Sequence, residues 1–261
     1  QQVAGMWRSW WLVCAGPGVA ATFCAGNHLF SSALTSSCTS IGGDLIISNT
    51  GSGIGAVTRT VQSRLLDRVS VKDFGAVGDG VTDDTAAIQA AIDYAQDNLL
   101  PLYFLSNGAS SYYKTTATLN ITKPLVMFGE GSRMVTIWCE GLTAGQYAIN
   151  IDGTAFGTFG QGRFEGFTVR AGLGDCIRIK NVSSTQFRDI GLRNSVNGIF
   201  YTGTRCFSND FSKIKVVTAL TGISFKMEAH TGGGHHSFYD CSFGGSSGFS
   251  ITSDTVTDTV N

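Results

Sequence analysis

FEGFTV (Phe164–Val169), FRDIGL (Phe187–Leu192), FSKIKV (Phe211–Val216) and FYDCSF (Phe238–Phe243) are copies of one pattern. Each has a leading Phe, an apolar residue or Cys three places on, and another apolar residue two places later. The copies start 23, 24 and 27 residues apart. A second apolar pair follows each one: Ile177/Ile179, Ile199/Tyr201, Ile223/Phe225 and Phe249/Ile251. Gly198, Gly222 and Gly248 stand directly before the last three pairs. Pairs of period two bounded by glycine turns predict short strands, and a repeat in the twenties predicts a solenoid. Leucine-rich repeats share the first half of the pattern. However, the asparagine at Asn194 does not recur in the other copies, and the second half of each unit reads as a strand pair. The expected fold is all-β, a parallel β-helix whose Phe, Ile and Val stack on the coil below at about 4.8 Å.

Composition agrees with this. The chain has 261 residues with 34 glycines, 17 phenylalanines, 3 prolines and 14% charged residues. A disordered chain would be richer in charge, collagen needs glycine at every third place, and a long-helix protein would be rich in Glu, Lys, Arg and Ala. Net charge is −1 and no Lys/Arg-rich run occurs, so no nucleic-acid partner is expected. Seven cysteines without close CxxC spacing read as buried free thiols rather than a zinc site.

The flanks of the repeat divide the chain into 1–47, 48–68 and 69–261. Ser9 to Gly43 holds no charged residue, and Trp7, Trp10 and Trp11 are large apolar groups in need of cover. Pro17 between Gly16 and Gly18 breaks any spanning helix. Residues 1–47 therefore read as an anchoring segment packed on a partner or sister chain, with a targeting or membrane segment as the alternative. Ser48–Gly55 is a Gly/Ser hinge, and Ala56–Arg68 places Val57, Val61, Leu65 and Leu66 at helical spacing. Further on, Ile88, Ala91, Ile92 and Ala95 form one face of a helix expected at about 83–96. Thr82 or Asp83 is its cap, and Asp79, Asp83 and Asp84 read as turn and capping acids rather than a metal loop. At the other end, TSDTVTDTVN (Thr252–Asn261) offers no capping helix, so continuation of the chain or cover by sister chains is expected.

The run GAVTRTVQSRLLDRVSVKDFGAVGDGVTDDTAAIQAAID (Gly55–Asp93) resembles the linker and β-helix start of bacteriophage tailspike proteins in the pectate-lyase-like superfamily. The V-K-D-F-G-A-x-G-D-G turn and T-D-D-T before the helix are shared with bacterial and plant β-helix enzymes. The R-T-V-Q element is what points to a phage. The resemblance implies a right-handed β-helix with the short helix plugging its open end, and a homotrimer held to other tail or baseplate proteins through the N-terminal segment. It also implies a virion-tail location, with assembly in the host cytoplasm, and binding to host capsule or lipopolysaccharide O-antigen. Depolymerisation of that polysaccharide, by glycosidic hydrolysis or β-elimination and without a cofactor, follows from the family alone. A non-catalytic tail connector is the second reading. A free bacterial polysaccharide-degrading enzyme is the third, and it predicts a removable signal peptide.

Chemistry on such a fold sits on outward positions of stacked coils. Asp189 and Asp240 precede Ile190 and Cys241, with Lys213 on the coil between. Two coils put these carboxylates about 10 Å apart, near the upper end of the range inverting glycosidases use. Glu165 lies one coil earlier and one residue out of register, and Asp175 stands just before the second strand of its coil. Asp189, Asp240 and Glu165 are the candidate catalytic acids or bases; the competing reading is solvated acids that discourage edge pairing. Tyr201, Tyr239 and Trp138, with Tyr147, Phe156 and Phe159, are candidate sugar-stacking rings where exposed. Arg178-Ile179-Lys180 matches a polygalacturonase motif, but the paired Asp and Gly-His-Gly motifs that should precede it are missing. His230, His235 and His236 read as loop histidines, since adjacent strand residues point to opposite faces. No metal site is expected.

Overall fold

The computed structural model describes residues 46–47, 59–60 and 64–252, apart from 109, 157–159, 204–207 and 229–235. Residues 1–45, on which the anchoring and targeting readings rest, lie outside the described residues, as do 48–58, 61–63 and 253–261. Arg59–Thr60, within the stretch expected to be helical, is a short strand paired antiparallel with Ile46–Ile47. The β-branched residues Val57, Thr58, Thr60 and Val61 favour that extended conformation over a helix.

From Val69 onward the chain winds as a parallel β-solenoid with three stacked sheets. Sheet A holds Val69–Ser70, Leu102–Phe104, Val126–Gly129, the first half of Arg163–Arg170, the first half of Gln186–Ser195, Asp210–Ser212 and Ser237–Tyr239. Sheet B holds Asp79–Asp83, Ser111–Thr115, Val135–Cys139, the second halves of Arg163–Arg170 and Gln186–Ser195, and the starts of Lys215–Glu228 and Ser242–Thr252. Sheet C holds Leu119–Ile121, Tyr147–Asp152, Asp175–Lys180, Ile199–Thr202 and the ends of those last two strands.

The register confirms the leading-Phe repeat and extends it toward the N-terminus. Val69, Leu102, Met127, Phe164, Phe187, Phe211 and Phe238 are successive partners in sheet A. The four Phe rings stack at centroid distances of 5.2, 5.0 and 5.0 Å, within about 10° of parallel. Phe164, Phe187 and Phe211 are buried. Each such side chain contributes roughly 1.5–3 kcal/mol of burial, before the entropy of ordering the chain is charged.

One pair of the repeat is corrected. Ile199 and Tyr201 pair with Phe225 and Met227, not with Ile223 and Phe225. The strand Lys215–Glu228 shifts register between Val216, Ala219 and Ile223, so this coil absorbs two extra residues before sheet C. A bulge adds residues without altering the pattern on either side of it, and Gly222 carried the reading two places early.

The helix at the N-terminal end of the solenoid spans Thr85–Asn98 and buries Ile88, Ala91, Ile92 and Ala95, which belong to the same core as the first coils. It starts after Asp84 because the acids before it fold the turn. The buried Asp84 carboxylate accepts the Val77 and Gly78 N–H groups at 2.7 and 3.0 Å. Asp83 accepts the Thr85 N–H at 3.0 Å and the Thr116 hydroxyl at 2.7 Å, and Asp79 accepts the Val81 and Thr82 N–H groups, both at 2.8 Å. The bonds to Asp83 and Asp79 favour the ionised forms of those two. The Thr85 hydroxyl first, then Thr116, hold the Asp83 carboxyl below the usual range, and the Thr82 and Val81 amides do the same for Asp79.

Candidate functional site

Sheets A and B meet at a tight bend, and the bend residue has a left-handed backbone in four successive coils. Gly166, Asp189, Lys213 and Asp240 have φ of 79, 48, 54 and 53°. At Gly166 the missing side chain also lets this coil pass against Gly129 of the preceding one, whose carbonyl oxygen a Cβ would meet. Because Gly166 projects nothing, Asp189 reaches past its coil to Ser132, taking the Ser132 hydroxyl at 2.8 Å and its N–H at 3.2 Å. Thr168 in turn donates its hydroxyl to the Ser132 carbonyl.

Beside this corner row, the outward residues of sheet B form two more rows. Tyr112, Thr136, Thr168, Gly191, Lys215 and Ser242 are successive register partners. Two residues further along each strand stand Lys114, Trp138, Arg170, Arg193 and Val217. The three rows enclose an open groove of about 940 Å³ running along the solenoid. Thr136 and Thr168 are buried in its floor. Gly191 keeps that floor open, since a Cβ there would collide with the Thr168 hydroxyl.

The groove is cationic on a chain of net charge −1. Arg133, Arg170, Arg193, Lys213 and Lys215 line it against two carboxylates, Asp189 and Asp240. Among the described residues none of those five cations forms an ion pair. Asp189 and Asp240 thus share one groove two coils apart, or about 10 Å.

The other expected site residues are dispersed. Glu165 pairs with Arg163 at 2.5 Å and with Arg188 at 3.7 Å on the outer face of sheet A. Its one-residue offset from Asp189 puts it before the bend rather than at it, so it is not a groove residue. Asp175 is buried and holds the Asn197 N–H and amide at 2.9 and 2.8 Å, which makes it a scaffold acid. Tyr201 is fully buried, because it occupies an inward position of sheet C; its hydroxyl donates to the Val182 carbonyl at 3.3 Å, and no ring face is left for a sugar. Tyr239 is 74% exposed but stands on the outer face of sheet A, away from the groove lining.

Trp138 lies in the same row as Arg170, with that guanidinium 5.4 Å and the Lys114 ammonium 6.0 Å from its ring. It is not itself a groove-lining residue, and its ring is already engaged by two cations. Tyr147 carries Arg178 at 5.2 Å on sheet C, and Lys180 pairs with Asp152 at 3.3 Å, so the Arg-Ile-Lys run is remote from the groove. His236 accepts the Asn209 N–H at 3.3 Å and packs edge-on against Tyr201, in contrast to a solvated loop residue. His230, His235 and Phe159 lie outside the described residues, and the Phe156 side chain is not described. Among the described residues no group of three or more His, Cys, Asp or Glu is placed to hold a metal ion.

Sequence reasoning missed Arg170, Arg193, Lys215, Thr168 and Gly191. Period-two alternation carried that signal, since each sits next to an inward residue of the repeat. Ser132 and Arg133 belong to a coil that the leading-Phe pattern does not mark.

Fold and groove together define a parallel β-solenoid with a long polar cleft on one sheet. Residues 68–260 match the model of the rhamnogalacturonase A/epimerase, pectate lyase-like family, and the chain belongs to that family. Mannuronan C5-epimerase AlgE5 of Azotobacter vinelandii is 85% identical over 26 residues, which is 10% of this chain and 3% of the epimerase. Among solved structures, Geobacillus virus E2 ORF18 is 19% identical with a TM-score of 0.45, covering 78% of this chain and 46% of that one. The Dettilon tailspike protein gp208 is 17% identical with a TM-score of 0.41, covering 64% of this chain and 33% of its own. The chain thus spans less than half the length of each of these proteins.

Proposed function

We propose that the protein is a phage tailspike that attaches the virion to host surface polysaccharide and depolymerises it along the sheet B groove. The observation that carries this reading is the groove itself, with five cations that form no ion pair among the described residues and two carboxylates on stacked coils. Unpaired cations suit an acidic polymer, since charge-assisted hydrogen bonds to carboxylate or phosphate oxygens are about twice as strong as neutral ones. Asp189 and Asp240 are the catalytic carboxylates in this reading, one coil either side of Lys213. The phage assignment rests on the R-T-V-Q element at residues 59–62, just before the V-K-D-F-G-A turn, and with it come the homotrimer, the tail or baseplate partners and the virion location.

The test incubates the full-length protein with purified host capsule or O-antigen and follows polymer length. Shortened chains are expected. Unchanged polymer that still binds would leave the tail connector reading in its place, and absence of binding would remove both.

A further inference from the structure

Of the four residues at the corner between sheets A and B, Lys213 is the one whose chemistry does not suit its backbone. Glycine adopts a left-handed conformation freely, and aspartate tolerates it through local hydrogen bonds of its short side chain. Lysine has neither property, yet Lys213 has φ of 54°. Nothing nearby repays this strain. Its backbone N–H donates to the Tyr239 carbonyl at 2.9 Å, a bond that any residue would make. The side chain is exposed, and among the described residues it forms no hydrogen bond or ion pair. Strain kept without a local return points to a ligand.

The place of Lys213 says which ligand. One coil above is Asp189 and one coil below is Asp240, each about 4.8 Å away along the axis. Asp189 is already held by Ser132. The left-handed backbone aims the lysine stem out of the bend, in a groove it lines together with both carboxylates. A polymer lying in that groove meets Lys213 on the coil between the two acids.

We infer that Lys213 is a substrate-positioning residue, holding an anionic or hydroxyl oxygen of the glycan between Asp189 and Asp240 and so setting which linkage faces the pair. This rests on the polysaccharide reading of the groove. It differs from the role of Arg170, Arg193 and Lys215, which line the groove beyond the carboxylates and attract the chain without choosing its register.

Lys213→Gly separates ligand from scaffold, because glycine removes the side chain and relieves the backbone. The full-length variant is expected to melt no lower than wild type, to need at least tenfold more polymer for half-maximal binding and cleavage, and to lose less in kcat than in KM. Lys213→Arg is expected to recover most of that affinity, and Lys123→Ala, which removes an ion pair with Asp97 outside the groove, to change neither value. Wild-type affinity in Lys213→Gly would overturn the inference while the groove reading stood. A lowered melting temperature would make Lys213 a packing residue. Wild-type protein that binds no acidic or neutral surface polysaccharide would overturn the groove reading and this inference together.

Discussion

The same four coils carry two ladders of opposite character. Inside, Phe164, Phe187, Phe211 and Phe238 repeat one side chain in one orientation. Two residues on, Gly166, Asp189, Lys213 and Asp240 repeat one backbone conformation with three different side chains. The inner ladder is uniform because close packing demands it: each ring is the surface on which the next one rests. Glycine would serve the corner best in every coil. A lysine there costs roughly 1–2 kcal/mol and an aspartate less, and three non-glycine residues are retained at the edge of the groove. Uniform shape marks what holds the solenoid up, and a costly departure from uniformity marks what it presents.

Substitutions that touch one ladder and spare the other test this contrast. The largest effect is expected at the corner. Asp189→Asn and Asp240→Asn should each lower polysaccharide cleavage by about 10²–10⁴-fold, the usual contribution of an acid or base, with unchanged melting. Wild-type turnover in both variants would discard the pair and leave the corner acids as solvated edge residues. The inner ladder should respond in reverse. Phe187→Ala removes the middle of the ring stack and should cost about 3–5 kcal/mol in chemical denaturation, whereas Asp240→Gly, at a left-handed corner position, should not lower stability. A Phe187→Ala cost near that of a surface substitution would mean that the stack is not the element on which the fold rests.

The inner ladder was legible in the sequence because its signal is repeated identity at near-constant spacing. Val69, Leu102 and Met127, which continue it, were not found. Packing there accepts any apolar residue, so the coils share a direction but no letter. The Ile223/Phe225 error has the same source: a bulge moves the register and leaves composition unchanged. The corner was half legible. Asp189 and Asp240 could be placed by their offset from the repeat, and Glu165 failed by a single residue because a left-handed bend separates neighbours onto different faces. Tyr201 shows the limit of residue type as a guide, since a tyrosine that suits a sugar also suits an interior with a carbonyl to bond. The cationic rows needed three coils in register before they could be seen as one surface.

A smaller effect should come from the groove floor. Gly191 packs under the Thr168 hydroxyl, and Gly191→Ala should push that hydroxyl from the Ser132 carbonyl it bonds. Overpacking of this kind costs typically about 1–3 kcal/mol. Ser132 also holds Asp189, so cleavage should fall along with stability. Adding Thr168→Ala removes the clash, and the double variant should be more stable than the sum of the two single losses, as expected for residues in contact. Strict additivity would show that the floor relaxes freely and does not brace the corner.

The smallest effect is silent at neutral pH and belongs wholly to the interior. Burial pushes the Cys176 thiol from 9.0 up to about 12, and burial with the nearby Asp84 charge pushes the Tyr113 hydroxyl from 10.0 up to about 12. Both groups stay protonated in the folded chain over a range in which the unfolded chain releases its protons. Stability from these groups is therefore fully present below about pH 9 and is lost as pH climbs toward about 12. Urea denaturation should give a constant midpoint from neutral pH to about pH 9 and a falling one above it. Cys176→Ala and Tyr113→Phe should each flatten the decline without moving the neutral-pH binding of polysaccharide, because neither residue lines the groove. A decline of the same slope in the double variant would assign the alkaline loss to groups outside the core, and with it would go the claim that the inner surface is electrically silent under the conditions in which the groove works.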